Sequence, residues 1–518
     1  MSDYKVGISP KVGMRKTRTF LAIALFALTL GTLSYSQEVS LSMRKENGKT
    51  VVTLNGAPGT IGTLSVSADL RGWQTLEGFT LLGGTASVTD DGSSSLRQRF
   101  YSVASQGPVV SLPDLATMQN KVFVPGEGFD TVQFAPNGKL GLIVWKERNL
   151  VLRERSASGS WSESTIAPEG PAADLSPRLL YKPFPAAVLL YDSASAAHVF
   201  KANGSSVQHF VKNGDSWQQA ENISSPDTVS RLTAAIAPDN SIHLGLHVSG
   251  SLVHATSKNG WNWTTVDSVE QDPQWMPGSY SRRWFSLAVD SHGAAHFVYR
   301  PSFDFSRHPA GYMRAYTKLK YASNRSGSWT HQIVREPDDI SGEVGSGQSI
   351  AIGPNDLPAI ASWYNERGDG GSSQWSRLQF YEMNASRQWV RSEVTSRPIG
   401  YIAGDGEKGA GAYPYLRFDP GGRPHIVFTD HASQHFPYQN EYAGHVRHAV
   451  RSGTEWKLET LLRQDNPLEQ QALFPAFALN NSELALVVLE RLTTWNTQVN
   501  PQVATSTYRA QFMIRPLN

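Results

Sequence analysis

The stretch SLAVDSHGAAHFVYR, Ser286 to Arg300, is an apolar run, a glycine-bearing turn, and a second apolar run that ends on a charge. Two short apolar segments on either side of a tight polar turn are the signature of a β-hairpin. Closely similar text returns as SIAIGPNDLPAIASWYNE from Ser349 and as YLRFDPGGRPHIVFTDH from Tyr415. Further copies begin at Val132 (VQFAPNGKLGLIVW), Ala186 (AAVLLYDSASAAHVF), Ala234 (AAIAPDNSIHLGLH) and Ala476 (AFALNNSELALVVLE), so the chain writes this hairpin seven times. After each of the first six comes a second half that ends on a tryptophan: Trp161, Trp217, Trp263, Trp329, Trp389 and Trp456.

Each unit therefore reads as strand, tight turn, strand, variable loop, strand, tight turn, strand, with a period of roughly 45 to 65 residues. Four strands in a unit of that length predict a propeller blade, packed face to face with its neighbours around an axis. The expected fold is all-β, a seven-bladed β-propeller over residues 121–518, preceded by a small β-sandwich-like domain over 37–105 and a linker over 106–120. The last unit lacks the tryptophan half, and a strand around KVFVPGEGF (from Lys121) is expected to complete it and remove the exposed sheet edge.

Composition narrows the function. Basic and acidic residues number 47 and 45, which gives no electrostatic footprint for nucleic acid. Cysteine is absent, so disulfides, thiolate nucleophiles and cysteine metal sites are excluded. Arg15, Lys16 and Arg18 precede the apolar run FLAIALFALTL (Phe20 to Leu30) and then small and polar residues. This order predicts a secretory signal peptide over 1–36, with Met14 as an alternative start, and a secreted or periplasmic bacterial protein with no membrane span after cleavage.

Short turns inside the hairpins fall at one end of every blade, and the middle and inter-blade loops at the other. The long, varied loops occur at that second end, mostly in blades four to seven, so function is expected there. The second strands end there on residues that differ from copy to copy: Lys146, Lys201, His247, Arg300, Trp363 with Tyr364, Asp430 with His431, and Glu490. By contrast His198, His243, His296 and His425 share one repeat position, which predicts a structural role.

Around blade four, Arg282, Arg283, Arg300, Arg307 and Arg314 interleave with Tyr280, Trp284 and Tyr312. Guanidinium forks suit carboxylates or sulfates, and aromatic faces suit sugar rings. In blade six, Asp430, His431 and His435 are of metal-ligand type, though their spacing is ordinary for a loop, and His431 with Tyr413 forms a candidate base pair. No metal or other cofactor is assigned. Asp430, Glu490 and Glu366 could supply the carboxylate pair of a glycosidase.

The blade text, over about residues 130 to 515, resembles the sialidase-type (BNR-like) repeat propellers of secreted bacterial proteins. SKNGWNW (Ser257 to Trp263) lacks the Asp of the true sialidase repeat. A more distant resemblance is to propeller polysaccharide lyases of the ulvan lyase type. It is carried by SIHLGLHVSGSLVHA (from Ser241) followed by SLAVDSHGAAHFVYRP (from Ser286). That likeness implies His247 and Arg300 as catalytic matches. Trp284 stands where the family pattern has a tyrosine, with Tyr280 nearby. The expected activity is β-elimination on an acidic, uronate-containing polysaccharide, without a cofactor. Expected catalytic residues are His247, Arg300, Tyr280, His431 and Tyr413. Expected substrate contacts are Lys146, Arg282, Arg283, Trp284, Arg307, Tyr312, Trp363, Tyr364, Asp430 and Glu490. The alternatives are a glycan- or protein-binding propeller without catalysis, and a hydrolase.

Overall fold

The computed structural model describes residues 39–46, 49–56, 60–68, 73–81, 85–90, 99–108, 122–123, 131–146, 149–167, 187–220, 222–225, 227–248, 251–258, 263, 265–271, 285–300, 318–336, 343–366, 374–399, 409–431, 445–462, 470–496 and 503–517. All regular elements among them are strands. The expected signal peptide lies outside the described residues. Of the expected linker only 106–108 are described, and they continue the strand Phe100–Pro108 of the first unit, so the linker does not begin at 106. Among the described residues no helix is long and apolar enough to cross a membrane.

Met1–Val110 and Ser111–Asn518 form two compact units. In the first, Ser40–Glu46, Lys49–Asn55 and Thr85–Asp90 make one three-stranded sheet; Gln74–Thr80, Thr60–Ser67 and Phe100–Pro108 make another. Both sheets contribute to one core of Val52, Leu54, Leu64, Leu81 and Val88. The buried carboxylate of Asp90 accepts hydrogen bonds from Arg99 Nε at 2.7 Å, Arg99 Nη2 at 2.8 Å and Tyr101 Oη at 2.8 Å.

Among its described residues the second unit contains seven antiparallel sheets. Their first strands, in chain order, are Val132–Phe134, Ala187–Tyr191, Val229–Ile236, Phe285–Val289, Glu343–Ile352, Gly409–Phe418 and Gln470–Leu479. Each packs on the first strand of the next sheet, and the last returns to Val132–Phe134, so the sheets follow one another around a common axis. Apolar side chains fill the space between consecutive sheets. Leu140, Leu142 and Val144 of the first sheet, for instance, meet Ala485, Val487 and Phe512 of the seventh.

Repeated local chemistry explains the repeated shape. Six first hairpins share one five-residue turn, in which the fourth residue donates its N–H to the carbonyl of the first, as Gly138 does to Ala135 at 2.9 Å and Gly293 to Asp290 at 3.0 Å. That fourth residue has positive φ in every copy: Gly138, Ser195, Asn240, Gly293, Asp356 and Gly422. Glycine, or a short polar side chain, is what a left-handed backbone accepts most cheaply. The tryptophans are equally regular, each packing back on the preceding sheet. Trp263 meets Phe200 at 5.9 Å, Trp329 meets His254 at 5.4 Å, Trp389 meets Tyr321 at 5.2 Å and Trp456 meets Phe380 at 5.2 Å. Trp217 donates to Ser164 Oγ at 3.1 Å. Trp161 closes the circle on Phe512 at 5.4 Å.

One expectation is corrected. Val122–Phe123, from KVFVPGEGF, does not complete the seventh sheet; Val122 pairs with Lys146 and Phe123 with Trp145 in the first. Among the described residues the seventh sheet holds three strands, and its long hairpin of Glu483–Asn496 and Val503–Pro516 reaches the first sheet through side-chain packing.

Candidate functional site

The hairpin turns fix which end of the second unit is which. Across the opposite end, the second and third strands of the first three sheets are joined tightly: Lys146 to Asn149, Asn203 to Ser206 and Val248 to Ser251. In the fourth to seventh sheets the same junction is long, running from Tyr299 to Leu319, Glu366 to Gln374, His431 to Val446 and Asn496 to Val503. At this junction, long connections are thus confined to four consecutive sheets.

At that end the first strands leave regular pairing. Register shifts fall between Val229 and Arg231, between Val344 and Gln348, between Gly409 and Ala412, between Ala412 and Tyr415, and between Leu473 and Ala476. A bulge bends its strand and re-aims side chains, and bulges gather at sheet rims beside active sites.

Three sheets in succession bring a nitrogen base or cation here, within two residues of the end of the second strand: Lys201, His247 and Arg300. Lys201 is 8% exposed and Arg300 is 6% exposed. Burial holds the Lys201 ammonium below its ordinary pKa. His247 is half-buried and sits opposite Arg231 across the strand pair. Tyr413 is buried on the first strand of the sixth sheet, inside the register shift between Ala412 and Tyr415.

Trp363 and Tyr364 lie in the core, each 1% exposed. The Trp363 indole donates to Ser376 Oγ at 2.6 Å, and Tyr364 packs with Val298, Leu319 and Tyr321 of the fourth sheet. Tyr280, Arg282, Arg283, Trp284, Arg307, Arg314, Tyr312 and His435 lie outside the described residues. So do the side chains of Lys146, Glu366, Asp430, His431 and Glu490, whose backbones are in strands.

The recurring histidines form buried ladders across the second and third strands. His198 Nδ1 meets His209 Nε2 at 3.0 Å, His243 Nδ1 meets His254 Nε2 at 3.1 Å and His425 Nδ1 meets His448 Nε2 at 2.9 Å. In the fourth sheet Tyr321 Oη takes the partner's place against His296 Nδ1 at 2.6 Å. The turn carboxylates Asp290 and Asp419 anchor His296 and His425 through Nε2 at 3.1 and 3.2 Å. Burial lowers the pKa of His243 to about 4, of His254 to about 3 and of His425 to about 4.

Asp290, His292 and Asp356, at the hairpin-turn end, offer ligand atoms within 4.8 Å of one another. Arg325 already bridges the two carboxylates, at 3.1 Å to Asp290 and 3.2 Å to Asp356. Asp290 also accepts from the backbone N–H groups of His292 and Ala294. The cluster is an ion-pair network that joins the fourth and fifth sheets.

No family model and no curated protein matches the chain. Among solved structures, an ulvan lyase of polysaccharide lyase family PL25 is similar at 13% identity and a TM-score of 0.46, over 71% of this chain and 93% of that one. The polysaccharide lyase Uly1 is similar at 10% identity and a TM-score of 0.47, over 80% of this chain and 98% of that one. The Aleuria aurantia lectin, a six-bladed β-propeller with a fucose recognition mode, is similar at 13% identity and a TM-score of 0.36, over 65% and 98%. The structural neighbours thus include polysaccharide lyases and other propellers at low scores, and the fold stands on the sheets themselves.

Proposed function

We propose that the chain is an exported seven-bladed β-propeller, with a small β-sandwich ahead of it, that cleaves an acidic, uronate-containing polysaccharide by β-elimination. The observation that carries this reading is the succession of Lys201, His247 and Arg300 near the same end of three consecutive sheets, two of them almost fully buried. A guanidinium withdrawn from water keeps its full charge and interacts strongly with an anion that reaches it.

Elimination needs that charge. The hydrogen on the carbon beside a uronate carboxylate is hard to remove until the carboxylate is neutralised. Arg300 is assigned to the carboxylate and His247 to the proton. The electrons of the broken C–H bond form the ring double bond as the glycosidic C–O bond breaks, and the leaving oxygen takes a proton from an acid or from water. Lys201 and Arg231 add positive potential for a polyanionic chain.

The test is incubation with a panel of polyuronates, followed by the ultraviolet absorbance of the unsaturated product. A rise that is lost in Arg300→Ala, with the thermal transition unchanged, supports the lyase. New reducing ends without the absorbance would indicate hydrolysis instead, and retention on a glycan without either would leave a binding propeller.

A further inference from the structure

Five non-glycine residues among those described have positive φ: Ser195, Asn240, Asp356, Arg387 and Tyr413. The first three occupy the fourth position of the first-hairpin turn, and Arg387 the same position in a second hairpin, donating its N–H to Asn384. Tyr413 alone has no turn to account for it. It lies inside the strand Gly409–Phe418, at φ 53°, 3% exposed.

The chain had glycine at hand. Gly409 and Gly411 stand just before Tyr413, and glycine takes the left-handed position in several of the turns. An aromatic residue kept in that conformation inside a strand is a site where strain is held by its surroundings, and such sites gather where function needs a fixed geometry.

The neighbouring sheet is built to accommodate it. Gly347 faces this bulge, and a Cβ there would lie 3.3 Å from Tyr413 N, 3.4 Å from Tyr413 Cα and 3.3 Å from Pro414 Cδ. Gly347 itself falls in the register shift between Val344 and Gln348. Two irregular first strands therefore meet at one level, between the fifth and sixth sheets, at the end where the long connections lie. Pro414 donates no hydrogen bond to the ladder, so the strand cannot slip back into regular pairing through that residue.

We infer that the Tyr413 bulge, braced by Gly347, is a positioning device of the substrate face: it sets the rim of the sixth sheet against the fifth so that a polyuronate chain is held in its productive pose. This rests on the function proposed above. Neither residue is assigned to the chemical step.

The experiment compares wild type with Gly347→Ala, Tyr413→Phe and Tyr413→Gly. Asp356→Gly, which relieves a left-handed turn at the opposite end, is the control. Each is assayed for thermal transition, for kcat and KM in the elimination, and for binding of an oligouronate by calorimetry. Gly347→Ala is expected to lower kcat/KM at least tenfold without moving the transition. Tyr413→Gly is expected to lower kcat/KM at least as far, with a lower transition as well because a buried aromatic side chain is lost, and the control to leave the kinetics alone. Activity lost only in step with the thermal transition would overturn the proposal, as would wild-type constants in Gly347→Ala and Tyr413→Gly. If wild type binds an oligouronate without cleaving it, the affinities decide: a tenfold weakening in Gly347→Ala supports the device and equal binding overturns it. A wild type that neither binds nor cleaves overturns the function, and the device with it. Tyr413→Phe separates hydroxyl from backbone: wild-type behaviour there leaves the bulge as the working part, and loss equal to that of Tyr413→Gly assigns the effect to the phenol and overturns the backbone argument.

Discussion

Close packing between sheets shows most plainly at single glycines. Gly245 lies in the strand Ile242–Val248, and a Cβ there would stand 2.6 Å from Phe297 Cε1, 2.9 Å from Thr233 Cγ2 and 3.0 Å from Phe285 Cε2. The two phenylalanines belong to the next sheet, where they are 7% exposed or less, so they have little room to retreat. Gly245→Ala is expected to cost about 1–3 kcal/mol, the ordinary penalty of overpacking a filled core. Chemical denaturation with an unchanged m-value would show it. Stability within about 0.5 kcal/mol of wild type would mean that the two sheets part more easily than their packing implies. Gly141 is similarly confined at the interface of the first and second sheets, against Tyr191 and Leu189. Neither glycine announces itself in sequence, because each is small on account of a side chain from another sheet.

At the scale of the element, the histidine ladders tie stability to pH. A neutral imidazole buried beside another has a folded pKa below its unfolded value of about 6.5. As pH falls through that value the unfolded chain takes up protons that the folded ladder refuses, and stability declines. For His243 and His425 the decline runs from 6.5 down to about 4, and for His254 to about 3. Each such group contributes up to about 1.4 kcal/mol per pH unit inside its window. Glu459 acts lower. Burial opposes its charge, but hydrogen bonds from His448 and Arg515 outweigh that and hold its pKa at about 2. Its contribution is present above its ordinary value of 4.5 and is lost as pH falls towards 2. Thermal transitions are therefore expected to drop steadily from pH 7 to pH 4, and His254→Phe, whose ring can pack on Phe297 and Trp329, to flatten that slope. A variant with the wild-type slope would remove the ladder from the account. The repeat position of these histidines was legible because it recurs; their partners His209, His254 and His448 were not, since cross-strand pairing decides them. The same holds for Tyr413: the sequence shows a tyrosine, and only the register shifts and Gly347 show why its backbone matters.

For the molecule as a whole, what the repeat could not reveal is how it closes. Hairpins and tryptophans recur because each answers a local need, a turn or a facing sheet, so the succession of sheets can be read along the chain. The last junction copies the tryptophan contact, but the hairpin it meets has no counterpart in the repeat. It joins the second unit's two ends through Trp161 on Phe512, the apolar cluster from Val132 to Ile514, and Arg155 with Glu483 at 3.1 Å. Arg515, beside them on the final strand, reaches the other way, to Glu459 of the sixth sheet at 2.8 Å. That strand is thus gripped from both sides. Phe512→Ala would empty the first–seventh interface, at about 3–5 kcal/mol for a buried phenylalanine. If closure is what makes the ring cooperative, the variant will unfold earlier but still in one transition, because opening at one junction exposes the apolar faces of both neighbouring sheets. Calorimetry distinguishes this from the alternative, in which the sheets behave as a linear stack and the seventh melts by itself in a separate, earlier transition. A single lowered transition supports closure by packing, whereas two transitions would show that this junction is a seam between ends that fold independently.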